Sequence, residues 1–239
     1  ITDAKLVSSS VPEAMAAAYN AGTTYGLGAV AGVATGTAQA VYQSIQAGNV
    51  GNAPASSPSW WRSLGTVYAP YAGGATYALG DRVSSVAANV HELYESLVVS
   101  NLGNALTDAT KWLPLGRTNR HKMFDKAVNS QTTAQEQIVF TLAPGELANT
   151  LTLLNVEGAS VKVEQADSGY SLTKSLVRHD VLNWYDFWYE DPVRAGDVVF
   201  DAIPPYMASN LTVTVDNPGA TAAVGGCFIG KARFIGTTQ

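Results

Sequence analysis

The chain has one cysteine, three histidines and few charges for its 239 residues. A lone thiol excludes an internal disulfide framework and any zinc site built from several cysteines. Cys227 sits in the apolar run Cys227-Phe-Ile229, which fits a buried, inert thiol. With so few histidines and no nucleophile elbow, no catalytic triad can be assembled. Charged residues make up 14% of the chain, against roughly 25% in ordinary soluble proteins. Its surface must therefore be Gly, Ser, Thr, Asn and Ala, a surface that partner subunits often cover, and a homo-oligomer is expected. The formal net charge of −5 argues against a nucleic-acid partner, because phosphate binding needs clustered Lys and Arg. The one local basic cluster is Arg117, Arg120, His121 and Lys122, and a structural role suits it better. Long apolar runs are also missing: residues 26–41 are apolar only through Gly and Ala, so no membrane insertion is expected. The start at Ile1 has no apolar signal core, and residues before it are expected to have been removed or left out.

What is present is a repeat. With an offset of 52, Tyr19, Gly22, Thr24, Tyr25, Leu27, Gly28, Tyr42, Ser44, Asn49, Gly51, Asn52, Ala53 and Trp60 recur between Tyr71 and Trp112, and no gap is needed. Each copy reads as a small β-module. An aromatic approach leads to a strand around Val41–Ile45 or Leu93–Leu97, then an Asn-x-Gly-Asn turn and a closing Trp. The second copy carries Asp81-Arg-Val83 where the first has Ala29-Val-Ala31, which makes it the better binding candidate. Before the repeat, Ser10-Val-Pro-Glu13 has capping-box spacing, and one or two helical turns are expected over Ala14–Ala18.

The second copy closes into a junction, Lys111-Trp-Leu-Pro-Leu-Gly-Arg-Thr-Asn-Arg-His-Lys-Met-Phe-Asp125. Beyond it, strand-like runs are expected at Gln137–Leu142, Thr150–Val156, Ser160–Glu164, Ser171–Val177, Asn183–Tyr189, Asp197–Phe200, Asn210–Val215 and Ala222–Phe228, separated by Pro/Gly/Asp/Asn breakers. The fold expected is mainly β: two small tandem β-modules followed by a jelly-roll-like β-sandwich. The expected boundaries are 1–65 for the N-terminal segment and first module, 66–116 for the second module, and 117–239 for the sandwich.

The second copy, Tyr71-Ala-Gly-Gly-Ala-Thr-Tyr-Ala-Leu-Gly-Asp-Arg-Val83 with Leu93-Tyr-Glu-Ser96 and Trp112, resembles the small aromatic chitin-binding type modules. The first copy lacks the matching Asp and Val. Taken in order, the modules, the junction with Thr118-Asn-Arg-x-x-Met-Phe-Asp125, and a sandwich ending Gly225-Gly-Cys-Phe-Ile-Gly230…Ile235-Gly-Thr-Thr-Gln239 are similar to structural proteins of tailed bacteriophages. That resemblance implies a virion (tail) location in the tail tip or baseplate region and other virion proteins as partners. A cell-surface polysaccharide is the further partner implied by the modules.

Several residues carry two readings. Tyr77, Tyr94 and Trp112 form either a stacking platform for sugar rings or the core of a module with little other apolar mass. Asn119, Arg120, Phe124 and Asp125 are expected to fix the junction through hydrogen bonds and an ion pair. Trp184, Tyr185, Phe187 and Trp188 are too aromatic for one buried face and are expected at a subunit interface. His179, Asp180, Asp186, Glu190 and Asp191 are the one acidic–histidine concentration. Asp186 and Glu190 share a strand face there, and a pair of carboxylates could act on a glycosidic bond, but solvated strand and turn residues account for them better. Gly225 to Lys231 is a P-loop near-miss, with Ala232 where magnesium needs Ser or Thr. No catalytic residue, metal or cofactor is expected. The function expected is a non-enzymatic structural subunit, with a host-surface glycan binder as the alternative.

Overall fold

The computed structural model describes residues 2–87, 89–125, 127–178, 184–189 and 193–233. The fold is mainly β. The chain divides into two compact units, one of Val11–Lys122 and one of Ile1–Ser10 with Met123–Gln239. Its strands in order begin with β1 (Leu6–Ser9), then β2 (Val30–Thr35), β3 (Ala38–Ser44) and β4 (Trp61–Tyr68) of the first repeat. The second repeat holds β5 (Thr76–Tyr77), β6 (Arg82–Ala87), β7 (Val90–Ser96), β8 (Asn101–Leu102) and β9 (Trp112–Arg117).

Each repeat is one antiparallel three-stranded sheet, β2-β3-β4 or β6-β7-β9. In the second, β5 pairs with β8; the first has an isolated bridge, Tyr25 to Asn49, at the same place. Both sheets carry a bulge at one position, Val41/Tyr42 against β4 and Leu93/Tyr94 against β9. The residues opposite are Gly65 (φ 105°) and Gly116 (φ 87°), a backbone region that a side chain disfavours. Val41, Leu64 and Val67 make the first small core, and Tyr77, Val83 and Trp112 the second.

Residues 14–18 are not helical, contrary to the capping-box expectation. Gln39 on β3 takes up this segment instead: its Oε1 accepts from the Ala16 N–H (2.7 Å) and its Nε2 donates to the Ala16 carbonyl (3.0 Å). The Gln39 carboxamide lies directly over Gly32, where any Cβ would collide with it. A local helical preference of five residues loses to these long-range bonds.

The other unit is built around one long strand. After β10 (Thr132–Leu142), β11 (Thr150–Glu157), β12 (Ser160–Gln165), β13 (Tyr170–Ser175) and β14 (Val177–Arg178) come a short helix α1 (Trp184–Tyr189), β15 (Val193–Arg194), β16 (Val198–Phe200) and β17 (Leu211–Gly230). The first part of β17 lies between β10 and β12, and its last part pairs with β11. β1 extends the sheet on the far side of β10, so residues 6–9 join this unit rather than the first module, and β16 lies outside β11. Alternate residues of these strands, among them Ile138, Phe140, Leu151, Leu153, Val161, Val163, Val213 and Val215, are fully buried in a sandwich-like core. Burying each contributes roughly 1.5–3 kcal/mol.

Two sequence expectations change here. The Asn217-Pro-Gly219 breaker is a wide bulge inside β17: Gln135 faces Thr221 and Gln137 faces Asp216, with Glu136 (φ 64°) alone opposite the extra residues. Asn217 Nδ2 closes it on the Thr221 carbonyl at 2.6 Å. The expected strand at 183–189 is α1 over its described residues. Alternating aromatics over six residues fit either period.

Candidate functional site

The repeated residues turn out to be the scaffold of their own modules. In the second copy, buried Asn101 donates through Nδ2 to Ser96 Oγ (3.0 Å) and to the Lys111 carbonyl (3.2 Å), and accepts at Oδ1 from Asn104 Nδ2 (2.8 Å). Trp112 Nε1 donates to the Asn104 carbonyl at 3.0 Å. The first copy repeats the set: Asn49 Nδ2 to Ser44 Oγ (3.0 Å), Asn52 Nδ2 to Asn49 Oδ1 (2.9 Å) and Trp61 Nε1 to the Asn52 carbonyl (2.9 Å). The partner of Trp112 is therefore Trp61, not Trp60, whose carbonyl takes the place of that of Lys111. The loop before the Trp is one residue longer in the first copy, which the gap-free alignment had hidden.

Each copy stacks two tyrosines and sets the Trp edge-on to both: Tyr19, Tyr25 and Trp61, and Tyr71, Tyr77 and Trp112. Tyr77 is 5% exposed and Trp112 1%. As placed, these two rings offer no open face to a sugar; only Tyr94, half-buried with its hydroxyl on Glu92 Oε2 (2.7 Å), reaches the surface. The residues that distinguish the second copy are also used locally. Asp81 Oδ2 accepts from the Ala78 N–H (2.7 Å), Arg82 pairs with Glu95 (2.8 Å), and Val83 is core.

Of the junction residues, Arg120 donates from Nε to the Val11 carbonyl (2.8 Å), while burial pushes its guanidinium pKa down and the charge of Glu13 partly restores it. Phe124 sets its ring edge-on to Phe140, and Asp125 Oδ1 accepts from the Ala127 N–H (2.9 Å). Trp184 and Trp188 are 77% and 70% exposed on α1. The side chains of Tyr185, Asp186 and Phe187, and all of His179, Asp180, Glu190 and Asp191, lie outside the described residues.

One constellation was not anticipated. Glu13, His91 and His121 meet inside the Val11–Lys122 unit, bringing together two of the chain's three histidines. His91 lies on β7; His121 follows a turn in which the Thr118 N–H bonds the His91 carbonyl (2.7 Å) and the His121 N–H bonds the Thr118 carbonyl (2.9 Å). The two imidazoles are stacked, centroids 3.5 Å apart and planes within 10°. Glu13 Oε1 accepts from Thr118 Oγ1 at 2.6 Å and faces His91 Nδ1 at 2.8 Å and His121 Nδ1 at 3.2 Å. Burial by itself would push the Glu13 carboxyl up. The hydrogen bonds from His121 and Thr118 and the charges on the two imidazoles outweigh it and hold the pKa at about 2. A carboxylate only accepts, so both ring nitrogens that face it carry protons. Glu13 also lines a cavity of about 210 Å³ with Met15, Pro70, Ser84, Val86 and Arg120. The three residues are far apart in sequence, and no local pattern marks them. No protein-family model matches the chain, and no curated protein matches it significantly.

Proposed function

We propose that the chain is a non-enzymatic structural subunit of a tailed-phage virion. It belongs in the tail tip, baseplate or fibre-attachment region, held by other virion proteins and by copies of itself. The observation that supports this most directly is an exposure that both modules share. Leu27 is 72% exposed and its counterpart Leu79 61%; Ile45 and Leu97, and Val50 and Leu102, are exposed in the same way. In the second copy these residues adjoin one hydrogen-bonded knot, where the Gly80 N–H bonds the Ser96 carbonyl (2.8 Å) and Asn101 pairs with Tyr77. The first copy has the same bond from Gly28 to Ser44 (2.8 Å) and the bridge from Tyr25 to Asn49. Scattered aliphatic side chains on a surface need no explanation. The same three left in water twice, on modules whose polar groups bond each other, suit a face covered by protein. Low charge and the exposed Trp184, Trp188 and Tyr189 point the same way.

The test is light scattering on the purified full chain, with antibody labelling of mature virions. A defined oligomer is expected, weakened by Leu27→Ser with Leu79→Ser at unchanged far-UV dichroism. A monomer at every soluble concentration, together with a chain absent from virions, would overturn the reading. Saturable binding of a bacterial surface polysaccharide, lost in Tyr94→Ala, would assign the chain to host-surface glycan recognition instead.

A further inference from the structure

We propose that Glu13, His91 and His121 are the protein ligands of a divalent transition-metal ion of the zinc class, with the remaining coordination position left to water. The donor set is two imidazoles and a carboxylate, which favours zinc-like ions over calcium or magnesium, whose shells are oxygen. The three ligand atoms lie within 4.8 Å of one another. Around a tetrahedral ion with bonds of about 2.0–2.1 Å, ligand atoms stand roughly 3.3 Å apart. The Glu13 oxygen is 2.8 and 3.2 Å from the two ring nitrogens, close to that spacing. Thr118, donating to the same oxygen at 2.6 Å, is the outer hydrogen bond that metal-bound carboxylates characteristically have.

The stack specifies what loading must do. With planes within 10° of parallel, the Nδ1 lone pairs run side by side and do not converge. An ion therefore draws the rings apart and takes the place of the proton on each Nδ1, which passes to Nε2 where that nitrogen is bare and to solvent where it already carries one. The ion would tie together three segments that are distant in sequence: Glu13 is 78 residues from His91 and 105 from Thr118. Loading should therefore raise the unfolding midpoint of this unit by mass action.

The experiment strips the full chain with a chelator and titrates it with Zn²⁺ by calorimetry and with Co²⁺ by visible absorption. One equivalent is expected, with the intense d–d bands of a four-coordinate Co²⁺. Imidazole ¹⁵N signals of His91 and His121 should move to metal-bound positions as the ring stack is lost. His121→Asn and Glu13→Gln should each abolish the stoichiometric step. Thr118→Val should weaken it about 10–100-fold, as loss of an outer-shell hydrogen bond does. If either ligand variant fails to fold, the wild-type Co²⁺ spectrum and Thr118→Val decide. No uptake by the wild-type chain overturns the proposal, and so does uptake indifferent to the folded variants.

Discussion

Removing the carboxamide at the centre of each module should cost nearly the same in both copies, and the small difference has a predictable sign. Asn101→Ala breaks three side-chain bonds, to Ser96, Lys111 and Asn104. Two partners are still satisfied, because Ser96 Oγ donates to the Val98 carbonyl (3.0 Å) and the Lys111 carbonyl accepts from the Leu97 N–H (2.9 Å). Asn104 Nδ2 loses its acceptor. At about 1 kcal/mol per net bond, with a penalty for the stranded donor and a small void, the cost is roughly 2–4 kcal/mol. Asn49→Ala breaks the matching bonds, but one of them is longer, 3.4 Å to the Trp60 carbonyl. Asn52 Nδ2 also keeps a second acceptor there, the Val50 carbonyl at 3.2 Å. Asn49→Ala should therefore be the cheaper substitution, by roughly 0.5–1 kcal/mol. Urea denaturation read by tryptophan fluorescence suits the test, since Trp61 and Trp112 are buried in this unit while Trp184 and Trp188 already face water. With a urea slope near 2 kcal/mol/M, Asn101→Ala should lower the midpoint by about 1–2 M. A cost below about 0.5 kcal/mol in either copy, or a costlier Asn49→Ala, refutes the reasoning about which partners are stranded.

The two leading tyrosines should behave oppositely when their hydroxyls are removed. Tyr71 Oη donates to the Asn104 carbonyl at 2.8 Å, whereas Tyr19 Oη is buried without a partner. Tyr71→Phe should cost about 0.5–1.5 kcal/mol and Tyr19→Phe nothing or less than nothing, measured by the same denaturation. Gly65→Ala and Gly116→Ala place a side chain at φ 105° and 87° and should each cost about 1–3 kcal/mol. Burial pushes the Cys227 thiol from 9.0 up to about 12. It should resist thiol reagents at neutral pH until the chain unfolds. The folded state keeps this proton while the unfolded state loses it above pH 9, so the thiol's contribution is whole below 9 and falls away toward about 12. The slope is about 1.4 kcal/mol per pH unit, and it should be absent in Cys227→Ala.

The parts of the fold that were legible are those written in local chemistry. Thr150–Val156 and Ser160–Glu164 lie between turn residues and fall within one residue of β11 and β12. Gly51 and Gly103, with φ of 75° and 73°, stand where the Asn-x-Gly-Asn turns were expected. What could not be read depends on distant partners. β1 is a half-exposed tetrapeptide whose strand character comes from β10, with Leu6 opposite Leu142. Asn217-Pro-Gly219 ends strands in most settings, but here β10 continues past it and holds both flanks in register. Ala14–Ala18 has the composition of a helix start, yet Gln39 binds Ala16 in extended form. The Glu13–His91–His121 group had no local signal, because its three members meet only after the β7–β9 hairpin has closed and the chain has turned at Thr118.

The duplication shows why a motif recognised in sequence should not be equated with a binding site. Residues that recur after a duplication are kept for one of two reasons, internal architecture or a shared external partner, and burial separates them. Within each copy the recurring Ser and Asn side chains bond one another and two Tyr rings pack on the Trp, and Asn49, Asn101, Ser44 and Ser96 are buried. They account for the chitin-binding-like pattern without any sugar. Leu27/Leu79, Ile45/Leu97 and Val50/Leu102 recur too, but on the outside, where no internal bond explains them. His91 and His121 have no counterpart in the first copy, where the matching positions are Gln39 and, past the longer loop, Pro70. A function common to both modules should therefore follow the exposed aliphatic positions, and one confined to the second should follow the histidines. Leu27→Ser with Leu79→Ser should alter association and leave metal uptake intact, while His121→Asn should do the reverse.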